Sequence, residues 1–316
     1  MFKKLWDWIV SLFTSKTAPA PTPIKPLPAQ PAPILRKGDK GDAVKALQAK
    51  LIALNYFDGP ADGDFGLKTE SAVQTFQATV GLVADGVVGP LTRAALDKAE
   101  PAPQPTPTPT PSGDRVRGID TSHWEPGVNW VEVAKECPFS ITKATEGLTG
   151  VDSLFSKYWA GMKAAGIIRG AYHFFHPDVD AVAQAKHFLA VVGKFDAGDL
   201  PAILDFEAHG GLSGGAQVNA ALKWLSYVEA ATGKVPMIYA SPSFIIEMGS
   251  PAAFAKYPLW IANYGVSKPH IPKPWLTWTI WQDTDKGRLA GVPQGVDMNW
   301  FNGSAAELKA FALKKV

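Results

Sequence analysis

Hydrophobic positions keep two rhythms along this chain, a helical one in its first third and an alternating one in the remainder. In residues 1–16 (MFKKLWDWIVSLFTSK), Phe2, Leu5, Trp6, Ile9, Leu12 and Phe13 follow helical spacing, while Lys3, Lys4, Asp7, Ser11 and Thr14 fall on the other face. The pattern predicts an amphipathic helix. Its apolar run is too short to span a bilayer, and Asp7 interrupts it, which also makes a poor secretory signal. An interfacial helix with Trp6 and Trp8 at headgroup level fits the pattern; a short signal, or docking on this protein or a partner, are the alternatives.

Residues 34–98 carry the helical rhythm again. Asp42 to Leu54 places Val44, Leu47, Leu51 and Leu54 on one face. An internal repeat follows: Asp62-Gly63-Asp-Phe-Gly66 and Thr69 recur 23 positions later as Asp85-Gly86-Val-Val-Gly89 and Thr92. Each copy reads as a glycine turn followed by a helix start, so a small three-helix all-α bundle is expected. Its acids sit beside glycines in turns, where Asp is favoured for backbone reasons. Asp58, Asp62 and Asp64 lack the spacing and the twelfth-position Glu of a calcium loop.

Two stretches have no apolar rhythm. Residues 17–33 hold seven prolines, and the run from Glu100 to Gly113 holds six. Proline removes backbone donors and fixes φ, so both read as extended spacers, with the linkers placed at 17–33 and 99–113. The second would span roughly 35 to 40 Å and hold its flanking modules apart.

From residue 114 to 316, short apolar runs alternate with helical patterns. Strands are predicted at Val116–Asp120, Ser140–Ala144, Ile167–Phe174, Ala202–Phe206, Pro236–Ala240, Leu259–Ala262, Thr277–Trp281 and Gly295–Met298. Helices are predicted at Ser153–Ala165, Val179–Val192, Gln217–Thr232 and Pro251–Lys256. Eight strands alternating with helices favour an irregular (β/α) barrel of TIM-barrel type, with helices missing where the later connectors are thin. Several runs end on polar residues: Asp120, Lys143 to Glu146, Tyr172-His173, Asp205 and Glu207, Tyr239, Gln282 and Asp297. In such a barrel the C-terminal strand ends converge on one face, where active sites form. That would bring together acids up to 177 positions apart. Asp205 and Glu207 are two apart on a strand and point the same way, roughly 7 Å between Cα atoms. The Ile-Leu run before them makes solvation poor and should raise a carboxyl pKa. Glycoside hydrolysis needs such a pair, one carboxyl protonated to donate to the leaving oxygen and one ionised to face the cationic sugar.

Composition narrows the picture. A net charge of +2 gives no reason to expect nucleic acid as a partner. The lone cysteine, Cys137, excludes an intramolecular disulfide and a multi-cysteine zinc site. Eleven Trp and 16 Phe suit core filling or sugar stacking.

Two resemblances are specific. Leu35 to Gln48, Asp62-Gly-Asp-Phe-Gly66 and Ala72-Val-Gln-Thr-Phe-Gln77 resemble the three-helix peptidoglycan-binding domain of cell-wall hydrolases, which implies a non-catalytic wall anchor. Gly118-Ile-Asp120-Thr-Ser122, Ile141 to Gly147, Ala171 to Phe174, Leu204-Asp205-Phe-Glu207, Leu259 to Gly265, Trp281-Gln282 and Val296-Asp297 resemble, in order, the family 25 glycoside hydrolases, which are N-acetylmuramidases. The resemblance implies hydrolysis of the β-1,4 bond between N-acetylmuramic acid and N-acetylglucosamine in peptidoglycan. Glu207 would be the general acid and Asp205 its partner carboxylate, assisting the substrate's own N-acetyl group. Asp120 and Asp297 would complete the acidic cluster, and Lys143, Glu146, Tyr172, His173, Tyr239, Trp260, Tyr264 and Gln282 would contact sugar. Glu125 and Pro126 depart from the family's usual Gln-Gly, which bears on the loop after the first strand.

Rival functions are a zinc-dependent peptidoglycan amidase or peptidase, a non-catalytic wall-binding protein, and a chitinase-like enzyme. Of the six histidines (His123, His173, His176, His187, His209, His270) only the first pair on one strand is closely spaced, at 173 and 176, and no HExxH occurs. No cofactor or metal is expected. The chain is expected to act as a monomer, as a phage endolysin moving from host cytoplasm to periplasm and wall, or otherwise at an extracellular cell wall.

Overall fold

The computed structural model describes residues 33–54, 56, 57, 59–100 and 114–314. The helix expected at 1–16 and the interiors of both proline-rich runs lie outside them. Three helices open the described chain: α1 (Asp42–Ala53), α2 (Leu67–Thr79) and α3 (Pro90–Lys98). Val44, Leu47, Leu51 and Leu54 are all buried, as their spacing predicts, and pack with Phe65, Val73, Phe76, Val88 and Leu96.

The 23-residue repeat has a structural cause that lies outside it. Gln48 in α1 is buried and donates through Nε2 to Asp62 Oδ1 at 2.8 Å and to the Asp64 carbonyl at 3.0 Å, while its Oε1 accepts from Gly63 N at 2.8 Å. Gln77 in α2 does the same for the second copy, with Asp85 Oδ1 at 2.7 Å, the Val87 carbonyl at 3.0 Å and Gly86 N at 2.9 Å. Each turn is thus tied to the helix before it by one satisfied amide. Asp62 is held below its ordinary pKa by the Asp64 backbone N–H and then by Gln48.

The larger part is a barrel. Its strands are β1 (Val116–Thr121), β2 (Phe139–Glu146), β3 (Gly150–Val151), β4 (Ile168–Phe174), β5 (Ile203–Asp205), β6 (Met237–Ala240), β7 (Leu259–Ala262), β8 (Ile280–Gly287) and β9 (Val296–Phe301). All eight expected strands are present. The two-residue β3 pairs only with β2 and lies outside the closed ring. Pairing runs β1-β9-β8-β7-β6-β5-β4-β2, and β1 closes on β2. The ring departs from a regular TIM-type barrel at β9, which runs antiparallel to both β8 and β1. No described helix separates β7 from β8 or β8 from β9, in line with the thin connectors read from sequence. The helices are α4 (Trp130–Val133), α5 (Phe155–Ala164), α6 (Ala181–Val192), α7 (Gly214–Thr232), α8 (Pro242–Glu247) and α9 (Ala305–Leu313). Pro251–Lys256, expected as a helix, holds only a 3-10 turn at Ala252–Phe254.

Strand alternation sorts side chains between two cores. Inward residues Phe139, Ile141, Ile203, Met237, Trp260, Ile280 and Phe301 fill the barrel. Outward ones such as Leu204, Phe206, Ile238 and Ile261 pack under α6 and α7 against Phe188, Trp224 and Val228. Gly118 is needed in the first core, since a Cβ there would come within 2.4 Å of the Phe139 ring.

Residues 34–316 form one compact unit. The helical module rests on the barrel, with α2 against α7 and the Ala252–Phe254 turn. Ser71 Oγ donates to the Met248 carbonyl at 3.0 Å, and Ala252 is buried within the module's own core cluster. The expectation that the second linker holds the modules apart therefore does not describe this structure. The contact is made by small and polar residues, which leave no hydrophobic signature in the sequence.

Candidate active site

Most of the polar strand ends enter a pocket of about 210 Å³ at one mouth of the barrel. Asp120, Lys143, Tyr172, Asp205, Glu207, Tyr239, Trp260, Gln282 and Asp297, all expected from sequence, line it together with Ser122, Trp124 and Phe174, which were not. The sheet register explains the assembly: Asp120 faces Asp297, Lys143 faces Tyr172, and Tyr239 faces both Asp205 and Trp260. Asp297 reaches this mouth by its own route. Because β9 is antiparallel, it is the start of that strand, not its end, that lies beside the C-terminal ends of the others.

Gln282 is the hub. Its Nε2 donates to Asp120 Oδ2 at 2.8 Å and to Asp297 Oδ2 at 3.3 Å, and its Oε1 accepts from Tyr239 at 2.8 Å and Tyr264 at 2.6 Å. Asn299, fully buried, adds a second amide donor to Asp120 Oδ2 at 2.7 Å and accepts from Trp260 Nε1 at 2.8 Å. Burial raises Asp120 to about 6, with the two amides pulling the other way. Burial and then the charge of Asp120 raise Asp297 to about 8, so at neutral pH Asp297 keeps its proton and donates it to Asp120. Burial holds Tyr239 and Tyr172 well above the ordinary phenol range, so both remain donors.

Asp205 and Glu207 form the second acidic pair. Asp205 is buried, and its Oδ1 has no hydrogen-bond partner. Burial first, and the neighbouring Glu207 next, push its carboxyl well above the usual range. Glu207 stands at the solvent-exposed rim and is also displaced upward, because the surrounding protein outweighs the pull of Lys143. Two adjoining carboxyls both shifted upward titrate as a pair and hold one proton between them over a wide pH range.

Three expected sugar contacts lie elsewhere. His173 points out of the barrel: it is fully buried, hydrogen-bonded to Thr145 Oγ1 at 2.8 Å and to Gln184 Oε1 at 3.1 Å, and stacked on Trp224 at 5.7 Å. Desolvation lowers it to about 4 and keeps it neutral. Glu146 is outside the pocket lining and holds Lys143 Nζ at 2.7 Å and His176 Nε2 at 3.1 Å. Tyr264 is outside the pocket lining, its hydroxyl donating to Gln282 Oε1. The departure at Glu125 is absorbed locally: its carboxylate accepts from Ser122 N at 2.8 Å and Ser122 Oγ at 3.2 Å.

Among the described residues no group of three His, Cys, Asp or Glu side chains is placed to hold a metal ion. The closely spaced histidines separate, His173 into the core and His176 to Glu146.

Comparison with known proteins matches the chain to two families. Residues 40–96 match the putative peptidoglycan binding domain, and residues 119–292 match the glycosyl hydrolases family 25. Lysozyme M1 of Streptomyces globisporus is 38% identical over 209 residues, covering 62% of this chain and 71% of that protein. The N,O-diacetylmuramidase of Chalaropsis sp is 36% identical over 213 residues, 62% of this chain and 99% of that one. A bacterial lysozyme structure from Streptomyces coelicolor superposes with a TM-score of 0.61 at 38% identity, over 64% of this chain and 99% of that chain. The chain belongs to glycosyl hydrolases family 25, and carries a peptidoglycan-binding helical module ahead of its barrel.

Proposed function

We propose that the protein cleaves the peptidoglycan glycan as a muramidase, with Glu207 as proton donor to the leaving oxygen and Asp205 as its partner carboxylate. The observation that carries the assignment is the orphaned Oδ1 of Asp205, an unpartnered buried acceptor on a residue that lines the pocket. A substrate N-acetyl N–H is the donor that would satisfy it; a donor there favours the ionised form of Asp205, against its burial, and leaves the shared proton on Glu207. So held, the acetyl oxygen can approach the anomeric carbon while the ionised Asp205 stabilises the positive charge. Glu207 at the rim is the member of the pair that can lose its proton to a leaving sugar that extends into solvent. Asp120 and Asp297 do not compete for that role. Asp297 is occupied in donating to Asp120, and the amides of Gln282 and Asn299 fix Asp120 in place.

Purified peptidoglycan incubated with the protein should yield new reducing ends without new free amines. Glu207→Gln should lower that rate by a factor of ~10²–10⁴. Amine release without reducing ends would overturn the muramidase reading, and an unimpaired variant would overturn the acid.

The wall anchor and muramidase together suit an endolysin that acts as a monomer, passing from the host cytoplasm to the wall and causing lysis. Residues 1–16 would contact the membrane surface. Their removal should spare activity on isolated wall and weaken binding to anionic lipid vesicles; unchanged vesicle binding would remove the membrane role.

A further inference from the structure

The segment that follows Glu207 is buttressed on its far side by the wall-binding module. His209 lies against Phe244 at 4.7 Å between ring centroids, and Phe244 in turn packs on Phe206 at 5.0 Å. Gln217 Nε2 donates to the Leu212 carbonyl at 2.7 Å, so the segment's end is tied to the first turns of α7. That first turn is where α2 docks. A Cβ on Gly215 would fall 2.3 Å from Gln74 Cβ, which leaves room for glycine alone. Gly214 abuts the Met248 backbone, and the Met248 carbonyl accepts from Ser71. At Gly249, with φ +87°, a Cβ would come 2.7 Å from Ser71 Oγ. Finally Ala252 joins the module's core while Phe254 of the same turn packs on Phe206. Three separate contacts from one helix face thus each stand within four residues of a group that holds the Glu207 segment.

We infer that the peptidoglycan-binding module is a positioning element of the catalytic site: α2, through Ser71 and Gln74, fixes the start of α7 and hence the segment carrying Glu207. The inference rests on the reading of Glu207 as the acid. A module that only anchored the enzyme to the wall would alter attack on whole peptidoglycan and leave a soluble substrate untouched. A module that positions Glu207 changes turnover of any glycan, wall-bound or not.

Two variants of the full chain separate these. Gly215→Glu drives a side chain into Gln74, while an acid in the first turn of α7 suits the helix dipole and leaves the barrel intact. Ser71→Arg makes the same break from the module's surface and serves if the first variant fails to fold. Small-angle scattering should show both variants extended relative to the wild type. On a soluble, peptide-free glycan oligosaccharide, kcat should fall about tenfold with KM within twofold, since a small misplacement of an acid weakens transition-state contact more than ground-state binding. Unchanged kcat in a variant that scattering shows to be extended would overturn the inference. So would two variants that remain as compact as the wild type. Glu207→Gln is run alongside: if it alone stays active, the acid assignment fails, while the scattering result still decides the docking.

Discussion

Replacing Asp297 by Asn tests the electrostatics of the pair that faces across β1 and β9. Folding takes the Asp297 carboxyl from an ordinary 3.8 to about 8, through burial and then the charge of Asp120. A carboxyl that holds its proton more tightly when folded contributes stability that is fully present below the unfolded value, near pH 4, and lost as pH rises through 8. About four units at ~1.4 kcal/mol each set a ceiling near 6 kcal/mol. Asp297 is partly open to solvent and shares its titration with Asp120, so about 3 kcal/mol is the expected loss between pH 4 and pH 9. Asparagine keeps the shape, can donate to Asp120 as the protonated acid does, and cannot ionise. In urea unfolding followed by tryptophan fluorescence, variant and wild type should be similar at pH 4. The variant should be more stable by about 3 kcal/mol at pH 9. Stability curves that run parallel from pH 4 to pH 9 would refute the assignment of the proton to Asp297.

Two smaller predictions follow from buried polar groups. Gln77→Ala strips the second turn of its amide and leaves Gly86 N and the Val87 carbonyl with one partner fewer, so the helical module should lose about 2–3 kcal/mol in thermal melts, with Gln48→Ala losing a similar amount. His173, lowered to about 4 by desolvation, should stay neutral at pH 5 in imidazole ¹⁵N spectra; because its pKa falls on folding, its contribution to stability is lost as pH drops from about 6.5 through 4. A His173 signal that titrates near pH 6.5 would place its ring in water.

How much of the site was legible depended on how far one rule of strand geometry was carried. Side chains two apart share a face, and that rule placed Asp205 and Glu207 together. Applied to Ala171-Tyr172-His173-Phe174, it puts Tyr172 and Phe174 into the pocket and His173 outside, yet His173 was expected at the sugar because its motif neighbours were. Applied to Val296–Phe301, it turns Asn299 inward with Asp297, where it supplies a donor to Asp120. The first correction was within reach of the sequence; the second needed a strand longer than the predicted Gly295–Met298. The hydrogen-bond roles were out of reach. That Gln282 spends its amide on two acids and two tyrosines depends on distances between four strands, and no spacing along the chain encodes them.

The antiparallel β9 marks the boundary between pattern and topology. Eight alternating runs predict eight strands, and the polar residue near the end of each predicts one functional mouth. For Asp297 that inference reached the right place from a wrong premise. The predicted strand was short, Gly295–Met298, so Asp297 read as its end; the real strand continues to Phe301, and Asp297 is its second residue. Had β9 run parallel like its predecessors, Asp297 would lie at the opposite mouth, and Asp120 would lose the neighbour that donates to it. The missing helix between β8 and β9 is therefore tied to the site. A connection of eight residues, 288–295, can return the chain only as a hairpin, since a parallel crossover needs a dozen or more. The same short connector that makes this barrel irregular is what delivers the fourth acid to the other three.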